Sequence, residues 1–421
     1  MWRRNEDQSP CRSGEGFDNV AEKSLCKRKY GGKGQGAGHP EPRSCFRLSR
    51  SHRQDSVRQG NKLKRQSLSL LFALGRPLSG AYSLLMMLRS AAYRRGFLKS
   101  RELPCRVISV GNLSMGGTGK TPHVMTLAEW FRDRGLEPAV ITRGYGGRAG
   151  KGPLVVSDGT EVLVSPEVGG DEPVMMAGAL PGVPVIAGSD RFSGGRLAVR
   201  RFGSRVIILD DGFQHFALRR DIDLVLLPAS NPLGTGRVFP GGNLRESPTA
   251  LKRATAILIT KAEEMDDADR EIIRGEIHAI CPGRPVFFSR LEPSGPNRMA
   301  NSMEQETEQM PGGMLYAFCA IADPDSFFFC LERLEVKIAG RKALRDHHPY
   351  TPADLSALAG YAADQGAAGL VTTAKDWVKI KPLWKDILEK SRKYSAFSLW
   401  VLDIHARPEE GFWKMLESYQ E

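Results

Sequence analysis

The chain is short of cysteine and of long apolar runs, and each shortage excludes a class of protein. Seven cysteines are scattered over 421 residues, and no two of them form a C-x-x-C pair. Such a set supports neither a disulfide framework nor a zinc site, and it fits a reducing compartment. The first sixty residues hold no apolar segment, so no secretory signal is expected there. Nowhere does the chain reach the roughly 20 continuous apolar residues that a spanning helix needs. Positive charge is plentiful but local. Of the formal +12, residues 1–65 carry +9 and residues 66–106 carry +6, which leaves −3 for the rest. A basic N-terminus on a near-neutral body suits an anionic membrane surface as well as it suits nucleic acid. The basic part has no aromatic interleaving and no repeat, so no nucleic-acid partner is expected, and no protein partner is indicated.

Residues 1–65 are polar, rich in Gly, Ser and Arg, and without periodicity. Their apolar surface cannot offset the entropy of ordering, so they are expected to be a disordered basic extension or to precede the native start. Residues 66–104 form the apolar part of the N-terminus. At 100° per residue, Leu78, Ala81, Leu85, Leu88 and Ala92 share one face, and Ser79, Ser83, Ser90 and Arg94 lie on the other. Arg89, Arg94, Arg95, Lys99 and Arg101 follow. An amphipathic helix trailed by cations predicts an interfacial membrane anchor, with a core-packing helix as the alternative.

The centre of the chain is Val107-Ile-Ser-Val-Gly-Asn-Leu-Ser-Met-Gly-Gly-Thr-Gly-Lys-Thr-Pro122. A β-branched run, a glycine-rich turn and a helical pattern opened by Lys-Thr stand in the order of a phosphate-binding P-loop. Backbone N–H groups of Asn112, Ser114, Met115, Gly116, Gly117, Thr118 and Gly119 are placed to cradle phosphates at a helix N-terminus. Lys120 is placed to reach the β/γ-phosphates, and the Thr121 hydroxyl to hold Mg²⁺. The first glycine of the strict pattern is replaced by Ser114.

Val206-Ile-Ile-Leu-Asp-Asp211 is a second diagnostic stretch. A buried parallel strand delivers acids at its C-terminal edge, so Asp210 or Asp211 is expected to organise Mg²⁺. Arg191, just after the strand Val183–Ala187, is a candidate phosphate contact. Thr260-Lys-Ala-Glu263 stands where a GTPase would carry Asn-Lys-x-Asp, so guanine selectivity is not supported. Asp171, before an apolar helix, reads on its own as an N-cap. A lone His215 or His347 reads as structural.

These stretches resemble, in order, the motifs of the tetraacyldisaccharide 4′-kinases. That family also lacks the first P-loop glycine. Arg143-Gly-Tyr145 resembles its Ser-Arg-Gly-Tyr motif, and Gly170-Asp-Glu172 its Gly-Asp-Glu. Asp210-Asp-Gly-Phe-Gln-His215 through Leu218 to Asp221 is similar to its Asp-Asp-Gly-Phe-Gln-His signature. The loop Gly234–Glu246 follows its glycine-rich Leu-Arg-Glu-Pro loop, with Ser247 for proline. Asp346-His-His-Pro-Tyr350 follows its Asp-His-x-x-Tyr motif. Two family glycines are Ala320 and Ala322 here. The resemblance spans roughly residues 66–400. It implies Asp171 as the base on the acceptor hydroxyl, His347 as the group that tunes it, and Tyr145 near the nucleotide. It implies Gln214, His215, Arg237, Arg245 and Glu246 as contacts to phosphate or saccharide.

The expectation is therefore an α/β protein. A P-loop NTPase-like parallel-sheet domain (105–292) is followed by a linker (293–313) and a smaller α/β C-terminal lobe (314–421). An amphipathic, membrane-associated N-terminal helix precedes them. By resemblance, ATP with Mg²⁺ phosphorylates the 4′-hydroxyl of an acylated disaccharide 1-phosphate, at the cytoplasmic face of a bacterial inner membrane. A P-loop GTPase or metallochaperone-type switch is the alternative.

Overall fold

A computed structural model describes residues 72–144, 147, 152–299, 305–306, 313–390 and 398–419. The expected disordered extension (1–65) and Tyr145 lie outside the described residues. After helix α1 (72–94) come β1 (Arg106–Asn112), α2 (Lys120–Arg132), β2 (Pro138–Thr142) and β3 (Leu154–Ser157). Next are α3 (Pro166–Gly169), α4 (Asp171–Ala179), β4 (Val185–Ala187), α5 (Arg191–Phe202), β5 (Val206–Asp210) and β6 (Ile222–Pro228). Then follow β7 (Ala256–Thr260), α6 (Asp267–Ile280), β8 (Val286–Met299), β9 (Gln305–Glu306), β10 (Leu315–Cys319) and α7 (Pro324–Arg333). The chain continues as β11 (Ile338–Ala343), α8 (Pro352–Asp364), β12 (Gly369–Thr373), α9 (Ala374–Lys390), β13 (Ser398–Pro408) and α10 (Glu410–Ser418).

The strands join one sheet in the order β11-β10-β12-β13-β8-β7-β6-β1-β5-β2-β4-β3, with β9 beside β8. From β4 to the start of β8 all pairings are parallel. Parallel strands are covered on both faces, which is why β1, β2, β5 and β7 are near-continuous apolar runs and are buried almost throughout. Their shared polarity brings Asn112, Thr142, Asp210 and Thr260 to one C-terminal edge. Ligands of open α/β sheets sit at such an edge.

The C-terminal half is a second parallel block, β11-β10-β12-β13. A long antiparallel β8–β13 ribbon fuses it to the first. The expected linker at 293–313 is therefore strand as far as Met299. Pro293 and Pro296 suggest a linker because proline cannot donate to a ladder. Here they pair with Ile404 and Leu402 around a register shift, and β7 has ended by Ser289 on the other side. Proline is tolerated at such irregular, one-sided positions.

Helix α1 is amphipathic, as its pattern predicts, and it runs through Arg76–Pro77. Its small-residue face docks on the body. Ser79 Oγ donates to the Val238 carbonyl at 2.9 Å and accepts from the Gly241 N–H at 2.7 Å. Gly75 lies so close to Pro240 that an added Cβ would fall 2.4 Å from the carbonyl oxygen. Tyr82 meets Phe239 edge-on, and Ser90 is buried. The leucine face is left outward, with Leu74, Leu78, Leu85 and Leu88 between 59 and 74 % exposed. Among the described residues no helix is long and apolar enough to cross a membrane.

Candidate active site

β1 ends in the glycine-rich loop, and Gly119 caps α2 in the left-handed conformation (φ 76°, ψ 22°). A side chain is strained there, and glycine lets the turn deliver Lys120 as the first helical residue. The loop is braced from several sides. Asn112 Nδ2 donates to Thr118 Oγ1 at 3.0 Å, and Thr260 Oγ1 donates to the Thr118 carbonyl at 3.0 Å. The Met115 N–H donates to the Asn243 carbonyl at 2.8 Å, and Ser114 bridges to Leu244. The backbone at Ser114 and Met115 thus ties the P-loop to the Gly234–Glu246 loop. Met115, Gly116 and Gly117 are exposed at the mouth, and Thr121 is half-buried. Behind the loop, His123 is fully buried, its ring nitrogens on the Gly119 carbonyl (2.7 Å) and Ser289 Oγ (2.8 Å). Burial pulls this imidazole down to about 4, so it stays neutral.

The two carboxylates at the end of β5 have different partners. Asp211, held at φ 53°, accepts both of its oxygens' bonds from Arg245 at 2.8 Å and faces Lys120 Nζ at 3.5 Å. Burial works to raise its carboxyl, yet Lys120 and Arg245 hold it below the usual carboxylate range. Asp210 is buried, and its Oδ2 accepts from Thr142 Oγ1 at 3.1 Å. Among the described residues no cation approaches its carboxylate within 4.0 Å. Burial first, then the charge of Glu172, push the Asp210 carboxyl up to about 6.

The expected base and its partner meet. Gly170, not Asp171, is the N-cap of α4, and Asp171 makes no capping bond. Its Oδ2 instead lies 3.1 Å from His347 Nδ1. His347 stands at φ 58°, a conformation rare for non-glycine residues and found where a site over-determines the backbone. Two lysines of α9 close the group. Lys379 Nζ is 3.5 Å from Asp171 Oδ2, and Lys375 Nζ is 3.2 Å from His347 Nε2. No site residue is expected from the sequence between Leu370 and Lys379. The available signal was the pair of lysines four apart at a helix start, which places both on one face.

The remaining expected contacts divide. Gln214 Nε2 donates to the Asn112 carbonyl at 3.0 Å, and its Oε1 lies 3.5 Å from Arg245 Nη1, so both belong to the P-loop side. Arg237 is exposed on the glycine-rich loop. Arg191 is buried and spends its guanidinium on the carbonyls of Gly188 and Asp210, bracing the ends of β4 and β5. Glu246 turns inward and is 4 % exposed, in a two-bond pair with Arg253 at 2.9 and 3.1 Å. His215 carries its Nε2 in the interior, and burial with Arg191 and Arg220 pulls the ring down to about 4. The sequence and the resemblance imply Arg191, Glu246 and His215 as ligand contacts; here Arg191 and Glu246 bond to protein partners, and His215 is half-buried. Their motif spacing is that of a loop, and only packing shows which side chains turn in.

The family model described as tetraacyldisaccharide-1-P 4′-kinase matches residues 71–421. The tetraacyldisaccharide 4′-kinase of Desulfotalea psychrophila is 43 % identical over 315 residues, 75 % of this chain and 90 % of the relative. That of Geobacter metallireducens is 41 % identical over 319 residues, 75 % of this chain and 90 % of the relative. The crystal structure of LpxK from Aquifex aeolicus in complex with ATP superposes with a TM-score of 0.65 at 31 % identity, covering 82 % of this chain and 97 % of that one. Motif order, sheet topology and relatedness agree, and the chain belongs to the tetraacyldisaccharide 4′-kinase family.

Proposed function

We propose that this kinase moves the γ-phosphoryl group of ATP onto the 4′-hydroxyl of a tetraacylated disaccharide 1-phosphate, a step of lipid A synthesis. The observation that carries the reading is the Asp171–His347 pair, set beside Glu172, whose charge is felt at Asp210 on the P-loop side. Phosphoryl transfer needs alignment and charge neutralisation more than covalent help. The P-loop N–H groups and Lys120 hold the phosphates. Asp171 takes the proton of the acceptor hydroxyl, and His347 orients that carboxylate.

The donor set at the strand ends fits Mg²⁺. A hydroxyl and a carboxylate oxygen are ligands this ion favours, and Asp210 is a buried acid without a cation partner among the described residues. Asp211 is already paired with Lys120 and Arg245. We therefore assign Thr121 and Asp210 to the ion, which when bound neutralises charge on the phosphates. A cleft of about 540 Å³ beyond the P-loop, lined by Lys261, Glu264, Met265, Leu291 and Phe329, offers room for the nucleoside. The switch reading is not favoured. At the base-recognition position Glu263 already accepts from the Leu291 N–H at 2.8 Å.

The outward leucines of α1 and the basic N-terminus support association with an anionic bilayer, at the cytoplasmic face of the inner membrane where such a substrate would be met. The test is transfer from γ-labelled ATP to a tetraacyl-disaccharide 1-phosphate in mixed micelles. A labelled bis-phosphorylated lipid is expected. A folded chain that binds Mg-ATP and labels no lipid would overturn the reading.

A further inference from the structure

The ribbon that fuses the two blocks carries a group of charges that the transfer reaction does not use. Arg290 of β8 lies directly opposite Arg407 of β13 in the antiparallel register. Opposed residues share one face of a sheet, and like charges so placed are destabilising. One carboxylate serves both. Glu292 stands 3.6 Å from the Nε of Arg290 and 3.6 Å from the Nε of Arg407, ion-pair distances longer than a hydrogen bond. Among the described residues neither guanidinium donates a hydrogen bond.

A third arginine joins them. Arg270 of α6 lies over the Phe288 ring, its guanidinium carbon 5.2 Å from the centroid. Phe288 precedes Arg290 by two residues, so both leave β8 on the same face. Arg270 Nε is buried and has no hydrogen-bond partner among the described residues. Buried N–H groups are nearly always paired, and an anion is one partner that would pair this one. The three arginines line one cavity of about 400 Å³, with Glu292 and Glu409. Three guanidinium charges there meet two carboxylates, which leaves the wall net positive. The cavity is separate from the phosphate cradle. Leu291 packs at Gly119 of the P-loop, and successive strand residues face opposite ways, so Arg290 and Glu292 leave β8 on the other side.

We infer that this cavity is a second anion site, which takes a compact phosphate-type polyanion between Arg270, Arg290 and Arg407. Guanidinium forks match phosphate oxygens two at a time, and such charge-assisted bonds are the strong ones. The anion offsets the repulsion between Arg290 and Arg407 and gives Arg270 Nε an acceptor. It also ties α6, from the first block, to both strands of the ribbon, so occupancy stabilises the join between the blocks. A lipid phosphate head group offers the same chemistry as a free polyanion, and the test separates the two.

The probe is inorganic pyrophosphate. It is titrated by calorimetry, with magnesium in excess, into the full chain whose P-loop is filled with a non-hydrolysable ATP analogue. One further site is expected, and the melting temperature should rise as pyrophosphate is added. Arg290→Gln with Arg407→Gln removes both forks from the ribbon. Each charged hydrogen bond lost weakens binding about ten- to hundredfold, so affinity at this site should fall about a hundredfold or more. Lipid labelling without pyrophosphate should stay native. Arg270→Lys keeps the charge and loses the fork; it should weaken binding about tenfold, and it serves where the double variant does not fold. No second site in the filled chain, or equal pyrophosphate affinity in native and variant chains, would overturn the inference. Once the site is found, sedimentation with phosphatidylglycerol vesicles names its source. Weaker sedimentation of the double variant assigns it to a lipid head group, and equal sedimentation assigns it to a free polyanion.

Discussion

His347 Nδ1 lies 3.1 Å from Asp171 Oδ2, although 176 residues separate them in sequence. One stands at the first turn of α4, the other in the loop after β11. Asp171→Asn keeps the shape and removes the negative charge. It is expected to lower kcat by about a hundred- to ten-thousandfold, the usual range for a general base, without loss of folding. Lipid labelling and a thermal melt decide it, and turnover near native from a folded variant removes Asp171 from its role.

Lys120→Ala is expected to abolish transfer by a different route. Lys120 faces the phosphate cradle and Asp211 at 3.5 Å, so its loss weakens Mg-ATP binding as well as rate. Isothermal titration with Mg-ATP separates the two effects. Unchanged nucleotide affinity together with native turnover would show that the P-loop lysine is not engaged.

Asp210 gives a pH-dependent expectation with a definite sign. Its folded-state carboxyl is raised to about 6, so the folded protein holds this proton more tightly than the unfolded chain. The ionised group therefore costs stability above pH 6, and the cost fades as pH falls from 6 toward 4. Asp210→Asn is expected to stabilise the ligand-free protein by about 1–3 kcal/mol at pH 7.5, and by less at pH 5. Mg-ATP affinity of the native chain should weaken as pH drops through 6, because a protonated Asp210 cannot hold the ion. Denaturant unfolding at the two pH values is the check. An equal effect at both would show that burial of the charge is not the cause.

Glu246 and Arg253 supply a contrast. Glu246 is buried and Arg253 is partly buried beside Phe213, whose ring centroid lies 4.4 Å from the Arg253 guanidinium carbon. Glu246→Ala leaves that cation unpaired and is expected to cost about 3–5 kcal/mol of stability, with turnover per folded molecule little changed. A variant with native melting and a collapsed rate would instead make Glu246 a substrate contact.

The exposed face of α1 predicts a separation of binding from chemistry. Leu78→Ser with Leu85→Ser removes about 1.5–3 kcal/mol of burial per leucine from any membrane contact. Sedimentation with anionic vesicles should weaken markedly, while Mg-ATP affinity stays native. Unaltered vesicle binding would show that the leucine face is not the contact surface.

The sequence by itself determined the α/β class, the P-loop and the paired acids at Asp210 and Asp211. Each is a local pattern, in which a backbone conformation or a strand end requires particular residue types at fixed spacing. The outward leucine stripe of α1 was legible for the same reason. Tertiary structure decided what pairing across distance must decide. It ran β8 through Pro293 and Pro296 because β13 supplied a partner, and it turned Glu246 and Arg191 inward, where Arg253 and the carbonyls of Gly188 and Asp210 meet their charges. It also brought Lys375 and Lys379 to Asp171 and His347. Sequence spacing places two lysines on one helix face, but only the docking of α9 on α4 fixes which carboxylate and imidazole that face meets.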